Sequence, residues 1–163
     1  MTDQLLSHRP AAEADLPAVV SFVRNADELF FAFPRGHWPL SHEQLLGTFH
    51  ERQGNTLALL DGRAAGFANF YQNQAGDFCA LGNLMIAPWA RGAGVAQYLI
   101  GVMERLAERD FQARELRASC FNHNTAGLLL YAHLGYQLCG VVERQDNHRQ
   151  RVALLQFSKN LKS

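Results

Sequence analysis

Apolar and polar positions along the chain change period several times, and each change predicts an element. Leu5 to Arg9 alternate as a short first strand. Leu16, Val19, Val20 and Val23 then form an apolar stripe at helical spacing, with Asp15 at the N-cap position and Pro17 in the first turn. From Asn25 to Leu40, aromatics, two prolines and Gly36 follow no sustained period, which reads as a loop with at most one further helical turn. Ser41 and Gln44 stand at capping-box spacing and open a second helix reaching about Gln53. Thr56–Leu60, the turn Asp61-Gly62 and Ala64–Tyr71 predict a β-hairpin. After the polar turn Asn73–Asp77, a strand runs from about Phe78 to Ala87 and stops at Pro88.

From Gly92 the period becomes helical, with Val95, Leu99, Val102, Met103 and Leu106 on one face down to about Arg109. Leu116–Phe121 reads as a strand. Asn124 opens a helix carrying Leu128, Tyr131 and Ala132, and Gly135 suits the position after its end. Tyr136–Val142 and Val152–Phe157 are two last strands, joined by the exposed polar span Glu143–Gln150. The order β-α-α-β-β-β-α-β-α-β-β predicts an α/β (α+β) fold: a mixed sheet of about seven strands flanked by about four helices. A length of 163 residues suits one domain over residues 1–163.

Charge narrows the function classes. Lys plus Arg is 15 and Asp plus Glu is 15, so nothing in the balance favours nucleic acid or an acidic membrane as partner. No apolar run approaches the roughly 20 residues of a membrane span. The first ten residues lack a basic start followed by an apolar core, so a cytoplasmic protein is expected. Cys79, Cys120 and Cys139 are far apart and form no CxxC pair; buried reduced thiols are expected, with a nucleophilic cysteine as the lesser reading.

The chemistry concentrates at Arg91-Gly92-Ala93-Gly94-Val95-Ala96. A glycine in a helix costs about 1 kcal/mol relative to alanine, so two at a helix start need a reason. Free N–H groups and the helix dipole attract anions there, and glycine lets a phosphate reach the backbone, with Arg91 as a further charged contact. The plainer reading is a tight strand-to-helix turn where glycine relieves crowding. A Walker loop is excluded, because no Gly-Lys-Ser/Thr follows. A dinucleotide fingerprint fails at its third glycine, where Gln97 stands.

These residues resemble the R/Q-x-x-G-x-G/A signature of the GNAT superfamily, the acyl-CoA-dependent N-acetyltransferases. A second match lies downstream: Asn124, Leu130, Tyr131, Gly135 and Tyr136 stand at the spacing of N-x-x-A-x-x-L-Y-x-x-x-G-F/Y, with Gly127 in place of the family's alanine. The resemblance implies a sheet splayed between its fourth and fifth strands by a bulge, and acetyl-CoA as cosubstrate. It implies the pantetheine arm along the main chain of Leu84, Met85 and Ile86, and the pyrophosphate on the N–H groups of Arg91, Gly92, Ala93, Gly94, Val95 and Ala96. Asn124 is expected near the cofactor arm or as a helix cap. Tyr131 is expected as general acid to the leaving thiolate; an ordinary helix residue is the alternative. Direct attack by a primary amine needs the neutral form, and a lysine-like amine with pKa about 10.4 is only about 0.04 % neutral at pH 7, a deficit of about 4–5 kcal/mol.

The base is the weak point. Leu81-Gly82-Asn83 and Ala118-Ser119-Cys120 carry no carboxylate where such enzymes often have a glutamate. His123, Asp27, Glu28, Glu143, a water chain and an acceptor of low pKa all stay open, and Asn83 is read as able to position a water. Phe30, Phe31, Phe33, Pro34, Trp38 and Pro39 suit an aromatic wall for an amine acceptor, with Asp27 or Glu28 for its charge, or else a lid closing the core. No histidine spacing builds a metal site, so none is expected. The acceptor is expected to be a small molecule or peptide amine, and a homodimer is a possibility. The competing function is an acyl-CoA-binding regulatory module without turnover.

Overall fold

Alternation and helical stripes become twelve main elements in the computed structural model, which describes residues 4–161. They are β1 (Leu6–Pro10), α1 (Leu16–Val20), α2 (Ala26–Ala32), α3 (His42–Glu51), β2 (Gln53–Leu60), β3 (Arg63–Gln74), β4 (Phe78–Ile86), α4 (Val95–Phe111), β5 (Glu115–Phe121), α5 (Thr125–His133), β6 (Gln137–Gln145) and β7 (Arg151–Asn160). The strands form one seven-stranded sheet in the order β1-β2-β3-β4-β5-β7-β6. The crossover through α4 makes β4 and β5 parallel, and every other neighbouring pair is antiparallel. The C-terminal strand β7 lies inside the sheet, so β6 is the edge.

Four of the five expected stripe positions of α4 are buried, with Val95, Leu99, Val102 and Met103 at most 1 % exposed, and Leu106 is half-buried. Each fully buried side chain contributes about 1.5–3 kcal/mol by leaving water. Five helices form, one more than expected, because residues 26–32 of the presumed loop are helical. Asn25 accepts the Glu28 N–H at 2.9 Å, and Glu28 reaches back to the Arg24 N–H at 2.9 Å. That short helix is carried by its cap and by packing rather than by propensity, which is weak for phenylalanine. Asp15 sits at the start of α1 but does not cap it: its carboxylate holds Arg9 at 2.7 Å and the Ala12 N–H at 2.8 Å. Ser41 caps α3 as expected, accepting the Gln44 N–H at 3.2 Å.

The feature that shapes the site is a split. β4 and β5 pair only through Phe78–Ala80 and Glu115–Arg117, then part. Against β3, Phe67 faces Met85 but Asn69 faces Gly82, so β4 carries one extra residue between them. Asn83, with φ +48°, occupies this bulge, a conformation asparagine tolerates better than most residues. Its side chain is 4 % exposed and fully engaged. Nδ2 donates to the Ala32 carbonyl at 3.0 Å, while Oδ1 accepts from Arg52 at 2.7 Å and Asn69 at 3.0 Å. Replacing Asn83 by alanine strips a partner from all three. The expected cost is about 2–4 kcal/mol, read as a lower midpoint in urea unfolding with an unchanged slope.

Candidate functional site

Beside the split, the chain turns into α4 through Gly92 (φ +82°) and Gly94 (φ +81°). No atom lies within 4 Å of where a Cβ would stand at either position. Relief of crowding inside the protein therefore does not account for these glycines; the left-handed backbone does, and the approach to the turn stays open. Among the described residues, the N–H groups of Gly92, Gly94, Val95, Ala96 and Gln97 meet no backbone acceptor, and the helix ladder begins with Tyr98 donating to the Gly94 carbonyl at 3.0 Å. The Arg91 and Ala93 N–H groups are engaged with the Pro88 carbonyl at 3.4 Å and the Ala90 carbonyl at 3.3 Å. The donor set thus differs from the expected run, losing Arg91 and Ala93 and gaining Gln97.

The Arg91 side chain turns away from these donors. It binds the Glu28 carboxylate at 2.8 and 3.2 Å, and the Ile86 and Phe22 carbonyls at 3.3 Å each. Glu28 also takes Arg24 at 2.7 Å. The bond from Arg91 first, and those from Arg24 with it, hold the carboxyl down to about 2 against the cost of burial. Glu28 is therefore a clamp between α2 and the end of β4 rather than a free acceptor-site charge.

A cleft of about 1560 Å³ follows the split. That exceeds the roughly 300–1,000 Å³ of an ordinary single-ligand pocket and leaves room for two reactants. Leu84, Met85 and Ile86 line it from β4, Asn124 and Tyr131 from α5, and Phe30 and Phe31 from α2. Asn83, Glu28, Arg91, Gly92, Gly94, Val95 and Ala96 also face it, whereas Ala93, Asp27 and Trp38 do not. Trp38 is 46 % exposed. Asp27 instead meets Asn147 at 3.0 Å and His148 at 3.3 Å, tying α2 to the β6–β7 turn. His123 packs edge-on to Phe31 outside the cleft lining, and Glu143 pairs with Arg151 at 2.6 Å. Arg52, Tyr71, Arg144 and Gln156 line the cleft from α3–β2, β3, β6 and β7, and no sequence motif marked them.

Tyr131 stacks on Phe157 and meets Tyr136 edge-on. Every fully enclosed polar side-chain atom among the described residues has a hydrogen-bond partner; the Tyr131 hydroxyl has none in the protein and so opens to the cleft. Burial, and then neighbouring Cys120, push its pKa up, so it stays a proton donor. Burial pushes the Cys120 thiol up to about 11 as well, which leaves it neutral and a poor nucleophile. Asn124 caps α5 by accepting the Gly127 N–H at 3.1 Å. A Cβ at Gly127 would stand 2.7 Å from Cys120 Sγ and 2.8 Å from Asn124 Nδ2, which explains glycine where alanine was expected. No cluster of three potential metal ligands occurs among the described residues.

An open sheet split at its one parallel pair, with a glycine-rich helix start beside the split, defines an α/β protein whose unpaired strand edge and free N–H donors lie on one cleft. The chain belongs to the acetyltransferase (GNAT) family, whose model matches residues 22–136. No curated protein matches it in sequence. Among solved structures it is similar to a GCN5-related N-acetyltransferase from Kribbella flavida, at 27 % identity and TM-score 0.75 over 95 % of this chain and 97 % of that one. A ribosomal-protein-alanine N-acetyltransferase from Brucella melitensis matches at 22 % and 0.75, over 94 % and 99 %. The yncA structure from Salmonella typhimurium, solved with its cofactor acetyl-CoA, matches at 16 % and 0.74, over 97 % and 95 %.

The clamp has a pH signature. The Glu28 carboxyl is lowered in the folded protein from 4.5 to about 2, so its stabilisation is complete above the unfolded value and fades as pH falls through that window. Glu28→Gln should lose on the order of 2 kcal/mol at neutral pH and unfold with a flatter acid dependence between pH 4.5 and about 2, read by thermal melts across that range.

Proposed function

We propose that this chain is one N-acetyltransferase domain over residues 1–163 that moves the acetyl group of acetyl-CoA to a primary amine of a small molecule or peptide, by direct attack in a ternary complex. The observation that carries this reading is the set of free N–H donors at Gly92 and Gly94–Gln97, set at the end of an unpaired β4 edge. In this reading those donors hold the cosubstrate's pyrophosphate, and the Leu84–Ile86 main chain pairs with its extended arm. A backbone N–H near Met85 faces the oxygen that gains negative charge. Tyr131 donates its proton to the leaving sulfur, a role supported by its open hydroxyl.

Among the described residues, no helix is long and apolar enough to cross a membrane, and the reading assigns the protein to the cytoplasm. The exposed β6 edge, with Leu138 55 % and Val141 57 % exposed, supports pairing with a second copy. A regulatory acyl-CoA-binding module is the second reading. It is favoured because the cleft-lining carboxylates are Glu28, which is clamped, and Glu51. CoA release across a panel of amines separates the two, since a module without turnover binds acetyl-CoA and releases nothing.

Two variants test the assignments. Gly94→Val, which forces a branched residue into a left-handed backbone at the donor turn, should weaken acetyl-CoA binding about tenfold or more by titration calorimetry. Tyr131→Phe should keep that affinity and slow single-turnover transfer by about 10²–10⁴; an unchanged rate removes Tyr131 from the mechanism.

A further inference from the structure

The proposed acetyl-CoA contacts leave Arg52, among other charged groups of the cleft, unused. Arg52, between α3 and β2, is half-buried and lies over the Tyr71 ring, 5.8 Å from its centroid. Its Nη1 donates to Asn83 Oδ1 at 2.7 Å and Asn69 Oδ1 at 3.2 Å, both neutral oxygens. Among the described residues, Nε and Nη2 have no acceptor, and no carboxylate lies within ion-pair distance. Burial first, and then nearby Arg35, disfavour the charge. A guanidinium held this way is stabilised by an arriving anion, and its two free nitrogens form the fork that matches a carboxylate.

The anion is a second one, not the pyrophosphate. Arg52 is fastened to Asn83, while the phosphate turn is fastened by Arg91 to Ile86, three residues or about 10 Å further along the strand. Among the described residues, the free charges lining the cleft are the guanidiniums of Arg35, Arg52 and Arg144 against the carboxylate of Glu51, since Arg91 is paired with Glu28. Such a lining repels a polyamine and suits an acceptor carrying its own negative group. Leu81, Phe31 and Tyr71 line the same cleft and offer apolar surface to the rest of the molecule.

We propose that Arg52, supported by Arg35, holds the carboxylate of the acceptor, so that the amines acetylated are amino-acid-like zwitterions. This rests on the transferase reading. The test is CoA release with phenylalanine and methionine against their carboxamides, each at saturating acetyl-CoA. The acids should be preferred by about tenfold to 10²-fold in kcat/KM, the range for losing hydrogen bonds to a charged group. The amide's less basic amine is more often neutral, which works against that order and sharpens the test. Arg52→Gln should bring the ratio close to one, a readout that any loosening of the Asn83 network, acting on acid and amide alike, does not move. Arg35→Gln, at an exposed position that leaves the Asn83 network intact, should reduce the ratio partway. Equal rates for acids and amides in the wild type, or an equal loss for both in Arg52→Gln, overturns the proposal.

Calorimetric titration of phenylalanine and its amide into the enzyme–CoA complex keeps the two readings apart. Acid-selective binding that Arg52→Gln removes, without turnover, keeps the anion site and discards the transferase. Neither binding nor turnover with either acid discards the anion site.

Discussion

The separation of β4 from β5 beyond Ala80 is the constraint on which the site depends. A strand edge inside a protein carries N–H and C=O groups that need partners, and burying them unpaired is costly. Here the neighbouring strand is diverted: β5 keeps its register with β7 through Phe121, while β4 keeps its register with β3 to Ile86. The extra residue at Asn83 lets β4 bend away without losing β3. The cleft is thus a consequence of pairing that is complete on one side of each strand and withheld on the other. An extended ligand with amide groups answers that need more fully than an apolar one.

Holding such a split open requires bracing, and polar groups supply it at both ends of α2. At the start of the helix, Glu28 is gripped by Arg91 and Arg24, and Arg91 also takes the Ile86 carbonyl. At its end, the Ala32 carbonyl accepts from Asn83 in the bulge. Phe30 stacks on Phe121 at 4.3 Å, which joins α2 to the far side of the split. One short helix is therefore tied to both diverging strands. Removing Asn83 leaves the Ala32 carbonyl unmatched, the kind of loss that costs more than the bond itself contributes. The cluster of Arg52, Asn69, Asn55 and Asn83 extends this bracing to β2 and β3.

What could be read along the chain follows from how local each cause is. The α4 stripe, the Ser41 and Asn124 caps and the glycine turn at the start of α4 depend on residues within a turn of each other, and all were legible. The seven strands were legible because their alternation or apolar runs are bounded by turn residues. The helix at 26–32 was missed although Asn25 and Glu28 stand at capping-box spacing, because its phenylalanines suggest an aromatic loop and its seven residues span only about two turns. The split came from family resemblance alone, since a bulge at an asparagine has almost no signature of its own. Arg91 was found by position but misjudged in role: its partner Glu28 lies sixty-three residues away in the chain. Arg52 was not marked because nothing near it in sequence distinguishes it from any helix-ending arginine; only its side-chain bonds to Asn69 of β3 and Asn83 of β4 place it in the cleft.

The distribution of charge along the cleft also bears on the missing general base. Besides the donor N–H groups and the guanidiniums, the cleft is lined by Met85, Cys120 and Tyr131, all neutral and nearly buried. An ammonium settling against these neutral groups is disfavoured by desolvation, which lowers its pKa without any carboxylate to take the proton. An amino acid ordinarily stabilises its ammonium through its own carboxylate. Pairing that carboxylate with Arg52 cancels the stabilisation and leaves the amine facing a neutral, water-poor surface. Both effects reduce the deficit of about 4–5 kcal/mol that a lysine-like amine brings at neutral pH. On the proposed reading, the proton is shed to water as the acceptor docks, and the residue that promotes this step is a cation holding the acceptor's carboxylate rather than a base beside the bond being made.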